Sequence, residues 1–317
     1  MDTDAFPRIP VGRWAEDGID WLTDNAAWLF DAFSAIMSFL ISNLETALMS
    51  IPAVVAILLF GLIGWFFRSW RLALGVILAF LLVVSMGQWD QLLQTMALVL
   101  VATLVAVIIA VPLGIWAAKS DTVSTIVRPI MDFMQTMPAF VYLIPAVTFF
   151  SIGVVPGLFS TIVFALPPGV RLTELGIRQV DAETVEAGEA FGASGWQILR
   201  GIQLPLAVPT IMAGVNQVIM LSLSMAVIAG MVGAPGLGQE VVSAISTLDL
   251  AKGVEAGLAV VFLAVFLDRL TAALGDSTKY PASLRAKLRG RRRASASTGS
   301  PTEADKEIAA GASVPIP

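Results

Sequence analysis

The chain has 317 residues, 57% of them hydrophobic and 14% charged, with a formal net charge of −5 and neither cysteine nor histidine. Soluble domains carry about 25% charged residues, so packing as an ordinary soluble domain is excluded. Without thiol or imidazole there is no disulfide framework, no Cys/His metal site and no histidine base; no catalytic residue, metal or cofactor is expected, and no nucleic-acid partner.

The distribution of charge sets the class. Leu72–Trp89, Gln91–Ala118, Phe133–Val170 and Gly201–Gln239 contain no Asp, Glu, Lys or Arg. A helix needs about 20 apolar residues to cross about 30 Å of hydrocarbon, and these runs supply that repeatedly. The expectation is an all-α membrane protein.

In chain order, residues 1–27 hold Asp2, Asp4, Glu16, Asp17, Asp20 and Asp24 against Arg8 and Arg13. That is the reverse of a basic signal-peptide start, so the whole chain is expected in the mature protein. Trp28–Met49 is amphipathic, with Asp31 and Glu45 inside it. A charge at the bilayer centre costs about 2.5–3.5 kcal/mol, which predicts an interfacial helix over 28–49 within an external acidic segment, 1–50. Pro52–Phe67 and Leu72–Met86 predict a helical hairpin in 51–90, turned at Arg68–Arg71. The core, 91–275, is read as crossings at Leu92–Ala118, Met131–Ile152, Pro156–Val170, Val208–Val232 and Val254–Leu267, with a polar link at Lys119–Arg128. Counting the hairpin, that makes about seven spans.

Seven spans with loop 171–205 inside leave only Arg8, Arg13 and Lys252 outside, against sixteen basic residues inside. The inverted topology reverses that split and breaks the positive-inside rule. The run Arg285–Arg293 holds six basic residues and reads as a topology anchor at the inner face, or as a site for anionic lipid. Within the cytosolic tail 276–317, the stretch beyond that run, Ala294–Pro317, is Ala, Ser, Gly and Pro with scattered charge and is expected to be disordered.

Loop 171–205 is the most informative stretch. Asp181 can cap a helix whose first turns carry Glu183 and Glu186, and Gly192 can end it in a left-handed conformation. Ser194-Gly-Trp-Gln197 fits a capping box for a second short helix ending near Arg200, with Pro205 and Pro209 restarting the chain toward the membrane. Two short helices set at an angle would expose Ala187, Ala190, Phe191 and Trp196 to a partner. An ordinary solvated loop is the plainer reading, but it leaves those apolar residues without a purpose.

Glu186, Ala187, Gly188, Gly192, Ile202, Leu204 and Pro205 resemble the cytoplasmic loop of ABC-importer permeases: Glu-Ala-Ala, three residues, Gly, nine residues, Ile-x-Leu-Pro. Gly188 stands where the family usually has a second Ala. The strings Pro167–Thr173, Gly176–Gln179, Leu204–Asn216, Gly236–Gly238 and Asp268–Thr271 look like permeases of glycine betaine/proline betaine importers, over roughly residues 50 to 275. The resemblance implies the type I importer permease fold and a permease homodimer in the bacterial inner membrane. It also implies two ATP-binding cassette subunits docked on the loop, and an external binding protein that delivers substrate. The chain has no Walker-type phosphate loop of its own, so ATP hydrolysis is expected on the partner.

Prolines at 112, 138, 145, 156, 167 and 168 punctuate the spans, and each frees a backbone carbonyl that lipid cannot satisfy. Met137–Tyr142 is the expected pathway wall, with Phe140 and Tyr142 offering aromatic faces to a methylated ammonium; plain packing is the competing reading. Gly114, Gly214 and Gly230 are candidates for close helix approach. The alternatives are an ABC-importer permease for another small solute and a stand-alone secondary transporter, yet carriers of the latter kind usually hold ionisable residues in mid-membrane. A non-transporting scaffold has no need of the capped loop.

Overall fold

The computed structural model describes residues 10–275, and among these there is no strand. The helices are α1 (Val11–Met49), α2 (Ala53–Phe67), α3 (Trp70–Ser85), α4 (Trp89–Lys119), α5 (Asp121–Thr136), α6 (Leu143–Phe150), α7 (Val154–Arg178), α8 (Ala182–Ala190), α9 (Gly195–Ile198), α10 (Leu204–Ala229), α11 (Leu237–Thr247) and α12 (Leu250–Gly275). The acidic residues at 2 and 4, Arg8, the basic run 285–293 and the tail 276–317 lie outside the described residues.

α7 is the axis of the bundle, flanked by α4 and α10, and the close approaches are made at small residues. A Cβ on Gly114 would stand 2.7 Å from the Val170 carbonyl oxygen. One on Gly214 would stand 2.9 Å from the Leu172 Cβ, and one on Gly230 only 2.4 Å from the Gly238 carbonyl carbon. All three expected contacts thus acquire partners: α4 on α7, α10 on α7, and the end of α10 on α11. Burial of Leu92, Met96, Leu158, Val218, Leu237 and Leu263 fills the space between them. α4 and α7 run in the same direction, Ala110 facing Gly169 and Gly114 facing Thr173. The bundle therefore has a loop end, near Lys119 and Arg178, and a far end, near Trp89 and Val154.

Several boundaries differ from the sequence reading. The single crossing expected over Met131–Ile152 is broken: α5 starts at Asp121, directly after the Ser120 cap, and is bent by 107° from the 139–150 segment. The expected polar link Lys119–Arg128 is mostly the first two turns of α5. The reason for the break is Pro138, which disfavours helix at Met137 (ψ 134°) and lacks the N–H to continue the ladder. Ala139–Tyr142 then forms a 3-10 turn that re-aims the chain into α6. α7 does not stop at Val170 but carries Pro167 and Pro168 inside it and runs to Arg178. The projecting loop therefore begins at Gln179, not at residue 171. α11 is a further helix that the sequence reading left inside a connection.

α1 is longer than the predicted 28–49 helix, extending back to Val11 with a kink at Ala26 (φ −118°, ψ 19°). By length and composition it could cross a membrane, as could α4, α7, α10 with its preceding turns, and α12; the bent α5–α6 pair makes a sixth. Its contacts run a different way. Phe30 stacks on Phe149 at 4.4 Å, Phe33 meets Phe159 edge-on at 5.7 Å, and Gln94 Nε2 donates to Glu45 Oε1 at 3.1 Å. All these partners sit near the far end, so Phe30–Glu45 runs across that end of the bundle rather than along it. α2 and α3, at 15 and 16 residues, are about 22–24 Å long and fall short of a full hydrocarbon core.

Candidate functional site: the projecting loop and the charged cluster behind it

Asp181 caps α8 by accepting from the Glu183 N–H at 3.1 Å, with Glu183 in the positive first turn. α8 ends as its glycine predicts. Gly192 has φ +77°, its N–H donates to Glu189 O at 2.8 Å, and Ala193 N–H donates to Gly188 O at 3.1 Å. The capping box at Ser194 is present, with Ser194 N–H donating to Gln197 Oε1 at 2.7 Å and Gln197 N–H to Ser194 Oγ at 3.4 Å.

One expectation here is corrected. α9 does not end near Arg200 before a fresh start at Pro205; it passes through a π-helical turn, Leu199–Gln203, straight into α10. Pro205 is the second residue of α10 and directly follows the π-helical turn. The consequence is mechanical. α9 and α10 form one continuous helical rod of changing pitch, joined to α4 by Lys119 Nζ, which donates to Gln203 Oε1 at 2.7 Å.

The loop residues divide by burial. Glu186, Ala187, Gly192 and Pro205 are exposed. Gly188 and Ile202 are half-buried against each other, and Leu204 packs with Ile177, Leu199 and Ala207. No residue of α8 is buried, while Phe191 is 93% and Trp196 66% exposed. An apolar phenyl and an indole thus project from the two short helices, with Ile202 and Leu204 packed beneath them.

The two aromatic candidates at the bend part company. Tyr142 is 8% exposed; its hydroxyl donates to Met134 O, its ring lies edge-on to Phe164 at 6.0 Å, and Ser160 Oγ donates to its carbonyl at 3.1 Å. Phe140, in the same 3-10 turn, is 57% exposed. The structure does not present both rings to one surface, so Tyr142 fastens the bend and Phe140 alone faces outward.

Behind the loop lies a charged cluster that the sequence reading passed over. Glu174 of α7 has a side chain only 5% exposed, between α5 and α7. Its Oε1 accepts from Ser124 Oγ at 2.7 Å and from Arg128 at 2.8 Å, both on α5, and lies 3.0 Å from Arg178 Nε one turn on. Arg178 also donates to Ala117 O at 2.9 Å and Asp121 Oδ1 at 2.8 Å, and Arg171 pairs with Asp132. The available signal was spacing: 124/128 on α5 and 174/178 on α7 are both i,i+4 pairs. A smaller polar group joins α10 to α12, where Asn216 Nδ2 donates to Asp268 Oδ1 at 3.1 Å and Thr271 bonds Asn216. Among the described residues no set of three or more His, Cys, Asp or Glu is placed to hold a metal.

An all-helical bundle with this many apolar crossings and a capped, projecting double helix defines a multi-pass membrane protein built to work with a partner. The chain belongs to the family of binding-protein-dependent transport system inner membrane components, whose profile matches residues 110–280. It is thus a transport permease of the inner membrane, a kind of protein that is not itself catalytic. It is 48% identical over 268 residues to the glycine betaine transport system permease protein OpuAB of Bacillus subtilis (strain 168), covering 84% of this chain and 95% of the relative. It is 45% identical over 271 residues to the glycine betaine/proline betaine transport system permease protein ProW of Escherichia coli (strain K12), covering 86% of this chain and 77% of the relative. The fold matches an inward-facing form of the MetNI methionine ABC transporter, with a TM-score of 0.51 at 22% identity over 57% of this chain and 93% of that one. The type I importer permease fold expected from the sequence is therefore the fold observed.

Proposed function

We propose that this chain conducts a compact quaternary ammonium osmolyte of the glycine betaine class across the inner membrane, powered by ATP hydrolysis on separate cassette subunits. The observation that carries the reading is the identity of 45–48% over 84–86% of the chain to permeases named for that substrate. The loop supports the ATPase part. Glu186, Ala187, Gly188, Gly192, Ile202, Leu204 and Pro205 form the docking element, with Phe191 and Trp196 as the side chains that enter the partner. Two copies of the permease would present two such loops, one to each ATPase, and an external binding protein would load the far end. Loop 179–203 then lies in the cytosol, and α1 lies in the plane of the outer leaflet, a placement supported by its run across the far end of the bundle.

A zwitterion has no net charge, so its path needs no fixed counter-ion, and none of the charge-free runs supplies one. Phe140 offers a π face to the ammonium end. The test is uptake of labelled glycine betaine, choline and a control amino acid by cells with and without the gene, at low and high external osmolarity. Betaine-class uptake should vanish with the gene and, in its presence, rise with osmolarity. Loss of a different solute, with betaine uptake intact, would overturn the substrate class and leave the permease reading standing.

A further inference from the structure

We propose that Glu174 is a positioning residue for transport: it clamps α5 to α7 at the root of the loop, so that movement of the loop turns the broken helix α5–α6. The inference deepens the proposed function and rests on it. Glu174 sits four residues before the end of α7, where the chain leaves the bundle for the loop. Its side chain is buried, yet it is not an isolated charge, since it accepts from Ser124 and Arg128 on α5 and is ion-paired with Arg178 on α7. Arg178 in turn holds the last turn of α4 through Ala117 O and the first residue of α5 through Asp121. One carboxylate thus joins the ends of α4, α5 and α7 within a turn or two of the docking element.

A hydrogen-bonded ionic junction transmits force differently from apolar packing. Its geometry is directional, and a buried charge that loses one partner is strongly destabilised, so the junction moves as a unit or breaks. α5 leads from this junction to Thr136, and the 107° bend beyond it carries Phe140. Motion of the loop relative to the bundle therefore reaches the bend through α5 as a lever. The apolar contacts of Val127 and Met131 with Ala110, Leu166 and Val170 are non-directional and could slide.

The test uses the whole complex, permease with its ATPase and binding protein, in liposomes, and counts labelled betaine imported per ATP hydrolysed. If the wild-type chain assembles with no ATPase, or imports no betaine, the proposed function fails before any variant is made. With a working wild type, Glu174→Gln and Arg128→Gln should each lower import per ATP by about tenfold, within the usual range of coupling between sites, while hydrolysis and assembly persist. The double variant should lose no more than Glu174→Gln alone, because Arg128 acts on the junction through that carboxylate. Arg128→Lys, which keeps the charge, should recover most of the ratio. Because Arg128 is 59% exposed, its variant does not depend on refilling a buried site. An unchanged ratio in both single variants, additive losses in the double, or hydrolysis and import falling in parallel would each overturn the clamp.

Discussion

Gly188 and Ile202, fourteen residues apart in the loop, are in direct contact: a Cβ on Gly188 would stand 2.7 Å from Ile202 Cδ1. The contact closes α8 onto the turn that leads into α10. Gly188 stands where the importer-loop pattern has a second alanine, and the contact shows what an alanine there would meet. The clashing atom is the far end of a flexible side chain, so a small rotation of Ile202 makes room. Gly188→Ala should therefore leave transport within about twofold of wild type, with a stability change below about 1.5 kcal/mol. Gly188→Leu should push α8 off its root and sharply reduce co-purification of the ATPase with the permease, measured by tagged pull-down from membranes.

Gly192 makes the turn between α8 and α9 at φ +77°. A β-branched residue there is forced into a region that costs about 1–2 kcal/mol or more. No side chain crowds the position, so the effect is one of backbone conformation alone. Gly192→Val should insert at normal levels and lose substrate-stimulated ATP hydrolysis in the assembled complex, whereas Gly192→Asn should retain much of it. Equal activity of the valine and asparagine variants would show that the left-handed turn is dispensable.

The chain has no native cysteine, which makes topology directly readable. A cysteine at Asp20 should react with an impermeant maleimide added to intact cells, and one at Phe191 only after the membrane is opened. If Asp20→Cys labelled only after permeabilisation, α1 would cross the membrane rather than lie on its outer face, and the external placement of the amino-terminal segment would be wrong.

Phe140 and Tyr142 should separate in mutagenesis. Phe140→Ala removes an exposed π face and should raise the half-saturating betaine concentration several-fold, in line with about 0.5–2 kcal/mol for a cation–π contact, while Phe140→Trp should not. Tyr142→Phe removes the hydroxyl that bonds Met134 O inside the bend, so its effect should appear as a lower thermal midpoint of the purified complex. A Phe140→Ala variant with wild-type saturation and rate would remove the phenyl ring from the pathway.

Much of the loop was legible locally because caps are local. Asp181, Gly192, Ser194 and Gln197 each act within four residues, and each does what its type and spacing dictate. The same holds for the class of protein, since charge-free runs longer than a bilayer's width have few other uses. Residues farther apart were harder. That Gly114 opposes Val170, or that Glu174 meets Ser124 and Arg128, depends on which faces of α4, α5 and α7 turn toward one another, and helical periodicity alone does not name a partner face.

By itself, then, the sequence determined that this is a helical membrane protein with a capped loop built from two short helices, because hydropathy and capping are properties of neighbouring residues. Only the tertiary structure decided that α7 runs on to Arg178 and that α9 passes unbroken into α10. It likewise decided that Tyr142 turns inward while Phe140 turns out. From the sequence, Pro167 and Pro168 punctuate a span expected to end at Val170, and Pro205 restarts the chain after the loop. In the bundle, packing of Val170 and Ile177 on α7 and of Leu199 and Ala207 at the start of α10 offsets the lost hydrogen bonds and keeps the helices going. The buried carboxylate of Glu174 follows the same rule: a charge that looks like part of a polar loop becomes part of the core once two donors on α5 and the Arg178 guanidinium on α7 converge on it.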